Sequence, residues 1–251
     1  MRINDDLYFD QYQKLIDNQF DNFIDSFNFS NYEEDFDYIT EASSVYSSNI
    51  EGNSIDLNSY MNYKQYQSSH KPGKEIKEIE NLVEAYKFAH KNRLNEQNIL
   101  VCHKIFSKNM LIKSQRGHFR KDKVGVFGQS GLVYLAIEPE FLTETMTIFF
   151  DDLNELIKKD ISNSKTFYYA SLIYLLFAQI HPFSDGSGRA TRLIEKWFLA
   201  EKLGIAFWKL KSEKYYKEHR SEYYLNINLG VNYYEINYNN CFPFLLMLTK
   251  A

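Results

Sequence analysis

Apolar positions in this chain recur mostly at intervals of three and four, which marks out a succession of helices. From Lys74 to Ala89 the residues Ile76, Ile79, Leu82, Val83, Tyr86 and Phe88 are the core contacts of an amphipathic helix. A second helix is expected from Asn95 to Leu111, with Ile99, Leu100, Cys102, His103, Ile105 and Phe106 mostly buried; His103 reads as a hydrogen-bonded core histidine, not a catalyst. A third is expected from about Pro139 to Lys159. From Lys165 to Ile180 the chain is more apolar still (Phe167, Leu172, Ile173, Leu175, Leu176, Phe177), which predicts a buried helix. Pro182 stops that helix at Ile180 or His181, because the residue before a proline is pushed out of the helical region. The following amphipathic run (Leu193, Ile194, Trp197, Phe198) starts near Gly188 and ends at Gly204, a C-terminal cap after Lys202 and Leu203.

Three stretches need separate treatment. Between Val124 and Ala136 two short β-prone runs flank the turn Gly128–Gly131, a hairpin signal preceded by Gly117-His118-Phe119-Arg120. Asp5 to Asp37 is acidic and aromatic and predicts one or two short helices packed on the main body, while the helix over Ile39–Ile50 is stopped by Gly52-Asn53. After Gly204 the chain is tyrosine-rich; Tyr215, Tyr216, Tyr223 and Tyr224 fall at helical spacing and read as packing, and Phe242 to Leu248 closes the domain with a last helix turn or two.

Composition narrows the class. A chain of 251 residues can bury one sizeable core. Its 20 tyrosines and 20 phenylalanines, set against ten glycines and four prolines, suit helices better than a turn-rich β architecture. The formal net charge of −4 argues against a dedicated nucleic-acid binder. Cys102 and Cys241 are too few for a disulfide framework or a zinc site, so a reducing compartment is the default. The first ten residues carry acids where a signal peptide would be basic, and no apolar run reaches membrane-spanning length. These features lead to the expectation of a soluble cytoplasmic protein with no membrane partner.

The candidate chemistry is concentrated in His181–Arg192, HPFSDGSGRATR. Gly186 and Gly188 let the backbone turn its N–H groups inward at a helix N-terminus, a nest for anions. Arg189 and Arg192, three apart, share a helix face and can fork onto a polyphosphate. Asp185 is a hard oxygen ligand suited to Mg2+ shared with phosphate oxygens and water. His181 has the ordinary pKa, about 6.5, that suits proton abstraction near neutral pH, and Phe183 is expected to pin the loop to the core. Alone, a Gly-x-Gly is usually a turn and two arginines a solvated face; together and in this order they point to phosphate chemistry. His70, His90 and His219 show no partner pattern.

The stretch resembles the signature of the Fic family, HxFx(D/E)GNGRxxR, with Ser187 in place of the usual Asn. Fic proteins have an all-helical fold, and most characterised members transfer AMP from ATP to a hydroxyl side chain of a target protein; others transfer UMP, phosphocholine or phosphate. The resemblance therefore implies an all-α fold, a Fic-type helical bundle with a small β-hairpin flap. It divides the chain into an N-terminal extension with an inhibitory helix (1–60), a catalytic core (61–215) and a C-terminal helical decoration of the same domain (216–251). The hairpin becomes a flap over the site, docking a target segment by strand addition along Val124, Val126, Leu132 and Tyr134. Ser47, Glu51 and Gly52 match the (S/T)xxxE(G/N) pattern of autoinhibition, which implies a salt bridge from Glu51 to Arg192 where the γ-phosphate would sit.

The function so implied is a protein adenylyltransferase, with ATP as substrate, Mg2+ at Asp185, the phosphates held by Gly186, Ser187, Gly188, Arg189 and Arg192, and His181 as base. Its partner is a protein of unknown identity, the chain itself included, and homo-oligomerisation stays open. Three alternatives remain: removal of AMP by a water that Glu51 orients, transfer of another nucleotide group, or a nucleotide-sensing module in which Ser187 marks decay. A serine offers the phosphates a shorter hydroxyl donor than asparagine's amide.

Overall fold

The computed structural model describes residues 1–16, 20, 24, 32–66, 73–128 and 131–251. In chain order the helices are α1 (Phe9–Leu15), α2 (Tyr32–Ile50), α3 (Leu57–Tyr66), α4 (Lys74–His90) and α5 (Glu96–Phe106). A two-stranded hairpin follows, β1 (Gly125–Gly128) and β2 (Gly131–Leu135). Then come α6 (Pro139–Lys158), α7 (Asn163–Ile180), α8 (Ser187–Leu203), α9 (Ser212–Glu218), α10 (Arg220–Ile227) and the short α11 (Phe242–Leu245). The expected all-α bundle with a small hairpin is the observed fold. Boundaries moved where a cap decided them. Asn95 lies outside α5, its side chain accepting from the Asn98 N–H, and the expected run to Leu111 tightens into a 3-10 turn at Ser107–Asn109.

The apolar stretch before the loop becomes the centre of the molecule. In α7 every residue from Phe167 to Phe177 is buried, and α8 is buried from Arg189 to Leu199. The two helices pack against each other through the most extensive helix–helix contact of the fold, so the loop joining them is carried by the core. From the N-terminal segment, α1 packs Phe9 and Tyr12 on Tyr168. Much of the rest of the Asp5–Asp37 reading lies outside the described residues, as do Gln129 and Ser130 of the hairpin turn.

The polar face of α8 is not solvated, as an amphipathic reading would have it. Glu195 and Lys196 are both buried, covered by α2 and α9. Lys196 donates to Ser43 Oγ at 2.8 Å and to Glu213, which also accepts from the Tyr86 hydroxyl at 2.7 Å. Glu195 accepts from the Tyr216 hydroxyl at 2.8 Å, and burial pushes its carboxyl up to about 8. The lysine is paired with Glu213, and Glu195, bonded to a neutral hydroxyl, keeps its proton.

The hairpin is antiparallel, pairing Gly125 with Leu135 and Val126 with Tyr134, with a bulge before Phe127 pairs with Leu132. Its base is tied down by the Tyr134 hydroxyl, which donates to Gln179 O at 2.8 Å, and by Leu135 N–H, which donates to Val231 O at 3.0 Å. Tyr134 is therefore turned inward as an anchor and is not presented along the strand for a target. The tyrosines at helical spacing pack: Tyr223 shares a hydrogen bond with Tyr174, and Tyr215 stacks on His219. The expected closing run ends as α11 and a 3-10 turn at Leu248–Lys250. Cys102 and Cys241 are buried free thiols, and among the described residues no helix is long and apolar enough to cross a membrane.

Glu195 generates a test of this interior. The folded chain holds its proton up to about pH 8, whereas an unfolded glutamate releases it at about 4.3. The folded state therefore binds more protons between those values, and stability is expected to fall as pH rises through them. In urea unfolding at about pH 5, 7 and 8.5, Glu195→Gln should flatten this slope relative to wild type; parallel profiles would mean that Glu195 is ionised throughout.

Candidate functional site

The site is built on the turn between α7 and α8. Pro182 ends α7, and His181 takes the left-handed conformation (φ 51°, ψ 62°), its N–H donating to Phe177 O at 3.0 Å. It is the only non-glycine residue with positive φ among the described residues, a conformation that costs an L-residue roughly 1–2 kcal/mol. The His181 Nδ1 lies 3.3 Å from Ala178 O and donates to it, which leaves Nε2 with its lone pair free. Burial depresses the imidazole pKa, with the Ala178 contact and Glu51 opposing, so the ring is neutral at neutral pH. That is the protonation state a base requires.

Arg120 holds this strained backbone. Its guanidinium donates to His181 O at 2.7 Å, Ile180 O at 3.3 Å, Ile137 O at 2.5 Å and Asp122 O at 2.9 Å, and its N–H donates to Pro182 O at 2.9 Å. Two consecutive carbonyls of the turn and both roots of the hairpin are thus gathered on one buried cation, and the next turn carbonyl is held by its backbone N–H. On the other side of the loop, the fully buried His103 accepts the Gly117 N–H on Nδ1 at 2.9 Å and donates from Nε2 to Asp185 O at 3.0 Å. Burial lowers its pKa to about 4, which keeps this neutral tautomer. Phe183 is buried and stacks face to face on His103 at 3.7 Å, pinning the loop as expected.

The glycines are dictated by contact. Gly186, the N-cap of α8, has φ 86°, and a Cβ there would lie 2.7 Å from the Phe106 ring. At Gly188 a Cβ would lie 2.4 Å from Glu51 Oε1, so the carboxylate rests directly on the first turn of α8. Ser187 points elsewhere. Its buried hydroxyl accepts the Phe183 N–H at 3.2 Å and faces Phe183 O at 3.5 Å, so it braces the loop and is not offered to a phosphate.

The two arginines diverge. Arg192 is wholly buried and donates from Nε to Ser47 Oγ at 2.8 Å, and from Nη2 to Ser47 O at 3.0 Å and to Glu51 Oε1 at 2.5 Å. Arg189 lies between Asp185 at 3.9 Å and Glu78 at 3.8 Å, too far for hydrogen bonds. Glu51 follows the last turn of α2, which closes with Asn53 N–H on Ser48 O and Gly52 N–H on Asn49 O, the pattern of a Schellman cap with Gly52 at φ 100°. Burial pushes the Glu51 carboxyl up, but the attraction of Arg192 and Arg189 outweighs it and the net shift is downward. The side chain stays about one-third exposed (30 %), at the mouth of the site.

Two buried donors at this mouth, Arg192 Nη1 and Arg189 Nε, have no hydrogen-bond partner among the described residues. Orphaned guanidinium nitrogens beside a glycine cradle fit an anionic group such as phosphate. Asp185 is exposed, and no cluster of three metal-binding side chains exists among the described residues. A cation here would take one protein carboxylate and complete its shell with phosphate oxygens and water, a pattern that suits Mg2+. On the hairpin, Val126, Phe127 and Leu132 are exposed, and Val124 O accepts the Ala136 N–H at 3.1 Å.

The sequence pointed to the residues expected to touch a phosphate, and to Phe183 as the pin of the loop, but passed over Arg120 and Tyr224. Arg120 was visible only as part of GHFR before the hairpin; an arginine after a glycine and two aromatic rings was the available signal. Tyr224, whose hydroxyl donates to Ile50 O at 2.9 Å beside Glu51, gave no signal beyond helical spacing.

Ser187→Ala would leave the buried Phe183 N–H unpaired and is expected to cost about 1–3 kcal/mol in denaturant unfolding. Arg120→Lys keeps the charge but not the fork, and should speed hydrogen exchange of the Leu135 and Ala136 amides more than that of α7. Uniform acceleration across the chain would instead mean that Arg120 only stabilises the fold globally.

Comparison with known proteins adds the lineage. Residues 93–199 match the Fic/DOC family. No curated protein sequence matches the chain. Among solved structures, a Fic family protein from Desulfovibrio desulfuricans G20 is similar with TM-score 0.71 and 19 % identity, covering 94 % of this chain and 73 % of that one. A Fic domain containing signaling protein from Bacteroides thetaiotaomicron VPI-5482 is similar with TM-score 0.69 and 17 % identity, over 96 % and 91 % of the two chains. Fic-1 from C. elegans follows with TM-score 0.60 and 18 % identity, covering 97 % of this chain and 66 % of that one. The His181–Arg192 loop lies inside the matched residues, so the part of the chain that bears the site is the part similar to the Fic/DOC family.

Proposed function

We propose that the protein is a Fic-type protein adenylyltransferase held inactive by Glu51. The observation that carries this reading is the Glu51 carboxylate lying on Gly188 and bonded to Arg192 at 2.5 Å, beside a neutral His181 with Nε2 free. The match to the Fic/DOC family supports a transferase; AMP as the transferred group, and the inhibition, are the proposal.

In this reading ATP is the substrate. Its phosphates lie over the backbone of Gly186, Ser187 and Gly188 at the start of α8, where N–H groups and the helix dipole favour an anion. Arg192 and Arg189 bond the terminal phosphates with the nitrogens that now lack partners. Asp185 would hold Mg2+, which supplies charge neutralisation to the phosphate oxygens when bound. A target segment aligns with the hairpin and presents a Ser, Thr or Tyr hydroxyl. The hydroxyl oxygen attacks the α-phosphorus as His181 Nε2 takes its proton; the new O–P bond forms, the bond to the β-phosphate oxygen breaks, and pyrophosphate leaves. Positioning and charge neutralisation supply most of the rate, with general base catalysis contributing about 10²–10⁴-fold.

Inhibition follows from competition. A carboxylate that takes Nη2 of Arg192 removes a donor the terminal phosphate needs, and adds like charge to the cradle. The division into extension (1–60), core (61–215) and decoration (216–251) belongs to this reading: Glu51 comes from the first and Arg192 from the second.

With ATP labelled at the α-phosphate, Glu51→Gly is expected to label itself or proteins of a cell lysate at least about tenfold faster than wild type, a change equal to 1.4 kcal/mol of barrier. Glu51→Gly/His181→Ala should lose transfer while binding ATP nearly as well. Equal labelling by wild type and Glu51→Gly would remove the inhibitory role, and persistent labelling without His181 would remove the base.

The pH profile is a separate check. Because the folded His181 pKa is depressed, the transfer rate of Glu51→Gly should be level around neutral pH. It should fall only on acidification below the usual histidine value of about 6.5. A midpoint above that value would contradict the buried, neutral base.

A further inference from the structure

The hairpin is asymmetric. On the β2 side, Val231 O takes the Leu135 N–H, and the residues leaving the strand, Glu138 and Glu140, are acidic. On the β1 side, the sheet has no further strand among the described residues, and Val126 and Phe127 face solvent, Phe127 at 73 % exposure. The free edge of β1 is therefore the one open to an added strand.

The approach to that edge is cationic. Between Lys104 and Lys123 five lysines and two arginines stand against one acid, Asp122, in a chain of net charge −4. Backbone contacts fix the course of the later part of this segment. Gly117 bonds His103, which bonds Asp185, and Arg120 bonds His181. The segment thus runs beneath the loop from its Asp185 side to its His181 side and emerges at β1. Lys108 is paired with Glu84, but Lys113, Lys121 and Lys123 are exposed and make no ion pair among the described residues. Exposed lysines in the segment that leads into a free strand edge draw an acidic segment and disfavour a basic one, although Lys123 is also within reach of the Glu138 carboxylate.

Resting on the transferase reading above, we propose that the target presents its hydroxyl within an acidic extended segment, laid along the free edge of β1 with its carboxylates against Lys121 and Lys123. A polypeptide suits the edge, because its main chain supplies the alternating donors and acceptors that a strand requires and a nucleic acid does not.

The test uses three fluorescent peptides of about twelve residues with one central serine, flanked by Glu, Gln or Lys, and the full-length Glu51→Gly protein. In anisotropy titrations at low salt the Glu peptide should bind at least about tenfold more tightly than the Gln peptide, the gap narrowing in high salt. Lys121→Glu/Lys123→Glu in the same background should reverse the order toward the Lys peptide and leave ATP affinity unchanged. Equal binding of all three peptides overturns the proposal. So does loss of ATP affinity in the lysine variant with the peptide order intact, which would assign the lysines to the nucleotide. A single-stranded oligonucleotide that binds more tightly than the Glu peptide, and loses binding in the same variant, also overturns it. Binding is read apart from chemistry: a Glu peptide bound in the expected order but never labelled keeps the docking assignment and removes the transferase reading.

Discussion

Arg192 is a cation with no access to water, and much of the structure around it answers that constraint. A buried guanidinium has to be paired and hydrogen-bonded, since an uncompensated charge in the interior costs several kcal/mol. Here the partners come from α2: the Ser47 hydroxyl and carbonyl, and the Glu51 carboxylate. The contact fixes the register of α2 against α8. Gly52, with positive φ, ends α2 one residue beyond Glu51, and Tyr224 from α10 caps the carbonyl just before it. One arginine thus draws the N-terminal and C-terminal parts of the chain onto the same point.

The loop between α7 and α8 solves a different problem, the holding of a histidine in a backbone conformation it would not choose. His181 is left-handed because Pro182 ends α7 and the chain must reverse toward α8 within six residues. Arg120 collects the carbonyls on either side of that reversal, and the same guanidinium reaches both roots of the hairpin. Strain at His181 and the placement of the hairpin are therefore maintained by one side chain. Such strain persists only where the surroundings over-determine it, and here α7, α8, Arg120 and the His103–Phe183 stack all do so.

Polar groups in the interior are shared between elements far apart in sequence. Lys196 and Glu195 on α8 meet Ser43 from α2, Tyr86 from α4, and Glu213 and Tyr216 from α9. Each hydrogen bond is modest, but a partly satisfied network in a low dielectric is costly, so the helices that close it are held in register. On the surface before β1, Lys113, Lys121 and Lys123 are exposed and make no ion pair among the described residues.

The sequence by itself determined the helices, the position of the loop and the residue types that meet there. The signals were local: the three-and-four spacing from Lys74 to Ala89, Pro182 after an apolar run, Gly186 and Gly188 at the start of α8, and Gly52 at the end of α2. Ser47, Glu51 and Arg192 were also named from the sequence, through a resemblance, and the structure brings them within hydrogen-bonding distance. Tertiary structure alone decided which polar face is buried, that the Ser187 hydroxyl braces Phe183, that Tyr134 anchors the hairpin, and that Arg120 holds His181. Those facts depend on carbonyls and hydroxyls supplied by residues from four to about 150 positions away. Periodicity records which side of a helix is apolar, but not which distant backbone will cover its polar side.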